Sequence, residues 1–218
     1  MESKAFQQSQ LKFTREPLAH IFMTNLQKIT ILLIFLSFTS CKKNDDEYIF
    51  GENRFENIEN LKLDKAVEIE REIGSKERTY NNTFGIGTSY YPNRNNFILS
   101  YPKVYERKQD FFQVETDYFF TPNDSLIKVI FYEWKPKTDT LRRLKISEEK
   151  AFEKKLKNLK TLISEKIGKP EVVEIAKRKD TSYNYTDRYK WRKNDLSADL
   201  NYDVSGEFKT IKLIVYKK

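Results

Sequence analysis

Two residues bound the chemistry open to this chain, and each type occurs once. Cys41 is the sole cysteine and His20 the sole histidine among 218 residues. His20 precedes Cys41, so everything downstream has neither. Ser-His-Asp and Cys-His nucleophilic sites need an imidazole to take the proton, and the usual zinc sites need His or Cys ligands, so both classes fall away. A lone cysteine makes no intrachain disulfide, which leaves the core to hold the fold. The remaining candidates are weaker. Gly85-Ile86-Gly87 lacks the third glycine and the following helix of a phosphate loop and reads as a turn or bulge. Arg188-Tyr189-Lys190-Trp191-Arg192-Lys193 interleaves base and aromatic, as a glycan binder does, and equally as a strand with Tyr189 and Trp191 turned inward. Asp199, Asn201 and Asp203 share one face of a strand, about 6–7 Å apart, too wide for compact Ca²⁺ coordination without a bend. Paired carboxylates for glycoside hydrolysis stand about 5–9.5 Å apart across a cleft, a spacing that some pair in so acid-rich a chain meets by number alone.

The surroundings of Cys41 are more specific. Lys28 leads an apolar run, Ile29–Phe38, closed by Thr39 and Ser40. As a helix the run spans about 15 Å, half of a hydrocarbon core of roughly 30 Å. A basic flank, a short apolar stretch and small residues describe a secretory signal. Phe38-Thr39-Ser40-Cys41 resembles the lipobox of bacterial lipoproteins, with Phe in place of the usual Leu. That resemblance implies cleavage before Cys41 and diacylglycerol, palmitate-type modification of its thiol, which anchors the chain to a membrane. Residues 1–22 are overlong for a signal and aperiodic, and Met23 is the expected initiator, with 23–40 as the signal peptide. Lys42, Lys43, Asp45, Asp46 and Glu47 resemble the lysine-plus-acidic export tag of Bacteroidetes-type surface lipoproteins, which implies display on the outer membrane surface rather than a periplasm-facing location. Asp124-Ser125-Leu126 and Asp139-Thr140-Leu141 resemble the O-glycosylation motif of exported proteins of that type, with Ser125 and Thr140 as acceptors.

Charge is uneven. Residues 1–40 hold four of the 40 Lys/Arg and two of the 32 Asp/Glu, which leaves the rest at net +6. Asn44–Glu133 carries 11 basic and 17 acidic residues, and Lys135–Lys193 carries 19 and 9. The basic half suits an envelope protein or an anionic glycan, or is the wet face of a lysine-rich helix; an exported location removes nucleic acid as a partner.

The elements that must position these residues follow from periodicity. Residues 41–54 read as a polar, lipidated tether and 55–218 as one domain. A turn or short strand around Leu61–Leu63 leads to a helix from about Asp64 to Ile73, stopped by Gly74. Phe97–Tyr101 reads as a short strand. Phe112, Val114, Thr116, Tyr118 and Phe120 alternate with polar residues, Pro122-Asn123-Asp124 turns, and Leu126–Trp134 returns as a hairpin partner. Ser147 is the expected N-cap of a helix to Ile167, with Phe152, Leu156, Leu159, Ile163 and Ile167 on one stripe, and with Lys154, Lys157, Lys160 and Lys166 off it. Gly168 and Pro170 end it. Val172–Ala176, a Tyr183–Trp191 segment broken near Asp187, Leu196–Val204, and Ile211–Val215 complete the strands.

Glu70-Arg71-Glu72-Ile73-Gly74-Ser75-Lys76 echoes Ser164-Glu165-Lys166-Ile167-Gly168-Lys169-Pro170, and each precedes a run of strands. A helix ending Ile-Gly-Lys-Pro before an aromatic antiparallel sheet resembles SmpA/OmlA-type lipoproteins and β-lactamase-inhibitor-protein-like domains, which implies a helix packed on one sheet face and a protein-binding role. The expected fold is α+β, an antiparallel sheet with one long helix (about 147–167) and one shorter helix (about 64–73), in two degenerate helix-plus-strands halves. The expected function is a membrane-anchored binding or structural module, no enzyme, with no cofactor and no metal. The runner-up is an envelope polysaccharide hydrolase with paired carboxylates.

Overall fold

Eight antiparallel strands make a single sheet in the order β1-β2-β3-β4-β8-β7-β6-β5 in the computed structural model. It describes residues 45–51, 54–78, 85–137, 144–176 and 184–218. The strands are β1 Lys76–Arg78, β2 Lys103–Gln109, β3 Phe112–Phe120, β4 Ile127–Pro136, β5 Val172–Glu174, β6 Asn184–Lys193, β7 Leu196–Ser205 and β8 Phe208–Lys217. Helix α1 is Asp45–Ile49, α2 is Leu63–Glu72 and α3 is Ile146–Ile167. Strand content outweighs helix. No described helix is long and apolar enough to cross a membrane.

The chain runs twice through the same order: a helix, then four strands in a meander. The two meanders meet at β4 and β8, whose register pairs Ile130 with Val215 and Tyr132 with Leu213. In each of α2 and α3 the last turn runs into an isoleucine, Ile73 just past α2 and Ile167 at the end of α3, followed by glycine in the left-handed region, Gly74 at φ +75° and Gly168 at φ +95°. At the first, the Ser75 N–H reaches the Glu70 carbonyl (2.9 Å) and the Gly74 N–H that of Arg71 (3.1 Å), so the chain reverses with its last carbonyls paired. A Cβ is disfavoured at that φ, which is why glycine stands there.

Period-two burial sorts the sheet into two faces. Val114, Thr116, Tyr118, Ile130, Tyr132, Trp134, Leu200, Leu213 and Val215 are buried on the helix-bearing face with Phe152, Leu159 and Ile163 of α3. The α3 stripe packs as its spacing predicts, with Leu156 half-buried at its margin. Trp191 Nε1 donates to Ser164 Oγ (3.2 Å), and Lys160 Nζ lies 4.6 Å from the centre of the Tyr189 ring, so the helix is tied to β6 by its polar atoms too. On the opposite face a second, smaller core of Ile86, Tyr91, Phe119, Val129, Ile214 and Tyr216 forms under the 85–99 segment.

Several sequence expectations need correction. The N-cap of α3 is Lys145, not Ser147; the Glu148 carboxylate accepts the Lys145 N–H (2.7 Å), so the reciprocal half of a capping box closes the helix without a hydroxyl cap. Phe97–Tyr101 is not a strand. Pro92–Asn96 is a 3₁₀ turn, and the segment after it folds over the sheet, with Phe97 and Leu99 packed on the smaller core and Ile98 and Tyr101 exposed. β6 runs unbroken through Asp187, which is buried and accepts the Ala176 N–H (3.0 Å). Phe120 stays on the inward side, half-buried against the main core, across a slip of the β3–β4 register between Phe119 and Phe120. The tether is shorter than residues 41–54: α1 is helical, and Ile49, Phe50 and Arg54 are buried in the main core.

Candidate binding face

The helix-free face is built by register. One row crosses all eight strands: Lys76, Glu106, Glu115, Glu133, Lys212, Asn201, Arg188 and Glu174. Three carboxylates stand side by side on β2, β3 and β4, an arrangement that like-charge repulsion disfavours between neighbouring strands. Cations from flanking positions offset it. Arg78 reaches Glu106 (3.6 Å) and Glu115 (3.2 Å); Lys135 reaches Glu115 (3.4 Å) and Glu133 (2.7 Å); Lys212 reaches Glu133 (3.9 Å) and Asp203 (2.9 Å). Burial alone would lower the ammonium pKa values of Lys135 and Lys212, but their carboxylate partners raise both above the ordinary lysine range.

Two motifs that the sequence leaves separate meet here. The β6–β7 register sets Lys190 against Asp199, Arg188 against Asn201 and Thr186 against Asp203. Together with Ser89, Tyr90 and Ile214 these residues line a depression of about 340 Å³. A wider one of about 580 Å³ shares Thr186 and Asp203 with it and extends to Glu133 and Phe208. A third of about 420 Å³, lined by Arg78, Glu106, Glu115 and Lys135, also reaches Phe208. The three adjoin along the face.

The geometry decides between readings of these residues. Tyr189 and Trp191 turn into the core while Arg188, Lys190 and Arg192 turn out, as a half-buried strand requires. Asp199 is tied to Arg192, and Asp203 accepts from Thr186 Oγ1 (2.8 Å) as well as pairing with Lys212. Their oxygens are thus committed to protein partners, and among the described residues no group of three or more His, Cys, Asp or Glu could hold a metal ion.

Asp117, on β3 between Val104 and Phe131, is the perturbed acid of this face. Burial, with Glu115 and Glu133 nearby, raises its pKa to about 7, against a smaller opposing pull from Lys135. Its Oδ1 is buried without a hydrogen bond. It lines neither of the depressions that Glu115 and Glu133 border.

Two further polar clusters escape sequence reasoning and lie on the helix-bearing side. Arg54 is fully buried, hydrogen-bonded to Glu70 and to the Tyr118 hydroxyl, with its guanidinium carbon 5.6 Å from the Tyr118 and Tyr132 ring centres. Tyr118 donates to Glu70 Oε1 (2.6 Å), and Arg107 stands 3.8 Å from Glu70 Oε2. Burial raises the Tyr118 hydroxyl pKa well above its ordinary value. The second cluster is Lys155, whose Nζ pairs with Asp46 (2.7 Å) and Gln109 (3.3 Å) and faces the rings of Phe112 and Trp134. No sequence signal marks either: Arg54 sits in a polar stretch, and Lys155 lies beside, not on, the apolar stripe.

The remaining sequence candidates are placed as follows. Asp46 is 2 % exposed and is an ion-pair partner of Lys155 within the fold. Asp45 and Glu47 are on α1. Cys41, Lys42, Lys43 and Thr140 lie outside the described residues. Ser125 is half-buried in the β3–β4 turn at φ +57°, its carbonyl accepting the Leu63 N–H (2.9 Å). Gly85-Ile86-Gly87 belongs to the segment over the smaller core, through buried Ile86. No known protein family, curated protein or solved structure matches the chain.

Proposed function

We propose that this chain is a membrane-anchored lipoprotein, attached through Cys41 to the outer membrane and displayed at the cell surface, whose folded body binds a protein on the helix-free sheet face. The observation that carries the reading is the contrast between faces. One is sealed by α2, α3 and the 45–51 and 54–61 segments, while the other leaves three adjoining depressions among charges of both signs. The helix-and-four-strands order, run twice, supports the resemblance to SmpA/OmlA-type and β-lactamase-inhibitor-protein-like domains.

Charge argues for a protein rather than an anionic glycan. Arg78, Lys135, Lys212, Arg188 and Arg192 each have a carboxylate within 4 Å. A polyanion gains most from unpaired cations, whereas alternating pairs match a mixed-charge protein surface and fix its register. A photo-crosslinking residue replacing Asn201 in intact cells is expected to trap one defined protein, and Arg188→Glu is expected to abolish the adduct. The same probe at Lys157, on the outer side of α3, is expected to trap nothing in common with it. A protease-resistant, periodate-sensitive adduct would assign a glycan instead, and identical adducts at both positions would overturn the assignment of the face.

A further inference from the structure

The folded body begins almost at the anchor. Four residue steps separate Cys41 from Asp45, where α1 starts, and a fully extended chain covers at most about 14 Å in that distance. Asp46 is already locked to Lys155. The surface around α1 therefore cannot leave the headgroup zone if Cys41 carries the lipid. That surface is a depression of about 390 Å³ between α1, the β2–β3 turn and the first half of α3.

Its composition suits that zone. Phe111, at the tip of the β2–β3 turn, lines it and is 44 % exposed, and Ile146, at the start of α3 beside it, is 72 % exposed. Lys150 and Lys154 follow Ile146 at four-residue steps, both exposed, and both line the depression with Phe111. The charges that oppose them are few. Asp46 is consumed by Lys155, and Glu149 pairs with Lys209 (3.0 Å). Glu153 is exposed, a helical neighbour of Lys150, and does not line the depression. Among the described side chains, Asp110 is the one exposed carboxylate lining it. An exposed aromatic and aliphatic pair flanked by long cationic side chains is what a lipid interface accepts: the apolar tips enter the acyl boundary and the ammonium groups stay among phosphates.

We infer that the α1 end of the body, through Phe111, Ile146, Lys150 and Lys154, docks on the anionic headgroups of the membrane that holds the anchor. The inference rests on lipidation of Cys41. Docking of this end fixes the orientation of the body.

The test uses the full, lipidated chain reconstituted in phosphatidylglycerol/phosphatidylcholine vesicles. Cys41 is the only cysteine, and its thiol is blocked by the lipid, so an introduced cysteine is the only free thiol. A fluorophore on Phe111→Cys is expected to be quenched by lipids carrying a nitroxide near the headgroup. A fluorophore on Val173→Cys, paired with Tyr189 beneath Lys160 and so about 21 Å along α3 from Ile146, is expected to remain unquenched. Adding Lys150→Gln and Lys154→Gln is expected to lower the docked-to-undocked ratio by about thirtyfold, roughly fivefold for each lysine, and vesicles of phosphatidylcholine alone are expected to do the same. Equal quenching at positions 111 and 173, or quenching at 111 that ignores both lysines and lipid charge, overturns the inference. Dye uptake by the parent chain would show a free Cys41 thiol. That outcome overturns the anchor reading and the docking with it, whereas an unlabelled parent with unquenched Phe111→Cys overturns the docking alone.

Discussion

Asp117→Asn gives the sharpest test of the charged face. The Asp117 carboxyl has a pKa near 7 in the folded protein and an ordinary value of 3.8. Between those values the folded state keeps a proton that the unfolded chain has released. More protons bound in the native state means that stability falls as pH rises from about 4 to about 7 and stays at its lower level above. A displacement of roughly three pH units corresponds to about 4 kcal/mol as an upper bound, and relaxation around a group with some solvent contact reduces it to about 2 kcal/mol. Asparagine has the same shape and no charge, so the variant is expected to be more stable than the parent at pH 8 by about 2 kcal/mol and to match it at pH 4. For a domain of this size that is a rise of several degrees in Tm at pH 8. Thermal melts of both proteins across pH 4–8 measure it. Parallel pH profiles, or a variant less stable at pH 8 than the parent, would refute the argument that burial beside Glu115 and Glu133 holds the proton.

The other outcomes concern the core and the anchor. Leu159→Ala, at a fully buried position of α3, is expected to cost about 2–5 kcal/mol in urea melts, against less than about 0.5 kcal/mol for exposed Lys157→Ala; equal midpoints would mean that the helix does not pack through its stripe. Arg54→Ala leaves Glu70 buried beside Tyr118 without its closest cation and is expected to cost about 3–5 kcal/mol, whereas Arg54→Ala combined with Glu70→Gln is expected to recover part of that loss; an unchanged midpoint for the single variant would show that the pair is not part of the core's balance. Metabolic palmitate labelling is expected to mark the parent and not Cys41→Ala, and equal label in both would remove the anchor.

What the sequence reveals depends on how many partners a residue needs. The α3 stripe and the alternation of β3, β7 and β8 are legible because each residue answers to a solvent or core side that repeats along its own element. β2 is hidden: Arg107 points inward to Glu70, so Lys103–Gln109 lacks the apolar alternation that marks a strand. α1 and Arg54 are hidden for the same reason, since their burial depends on Lys155, Glu70 and Tyr118 from distant segments. The 85–99 segment packs on the second face without regular structure of its own. The binding face is only half legible. The separate motifs at 188–193 and 199–203 can be read, but their juxtaposition is a product of the β6–β7 turn at Asn194-Asp195 and of the register it sets.

The position of β8 has a consequence for timing. It follows every other described element in the chain, yet it lies mid-sheet, hydrogen-bonded to β4 on one side and β7 on the other. The first meander emerges early and waits with the β4 edge open, and the seam joining the halves cannot close until Phe208–Lys217 has been made and delivered. Completion is deferred to the final strand, so a truncated product has two unjoined sheets with open edges, the form in which proteases and chaperones can recognise it.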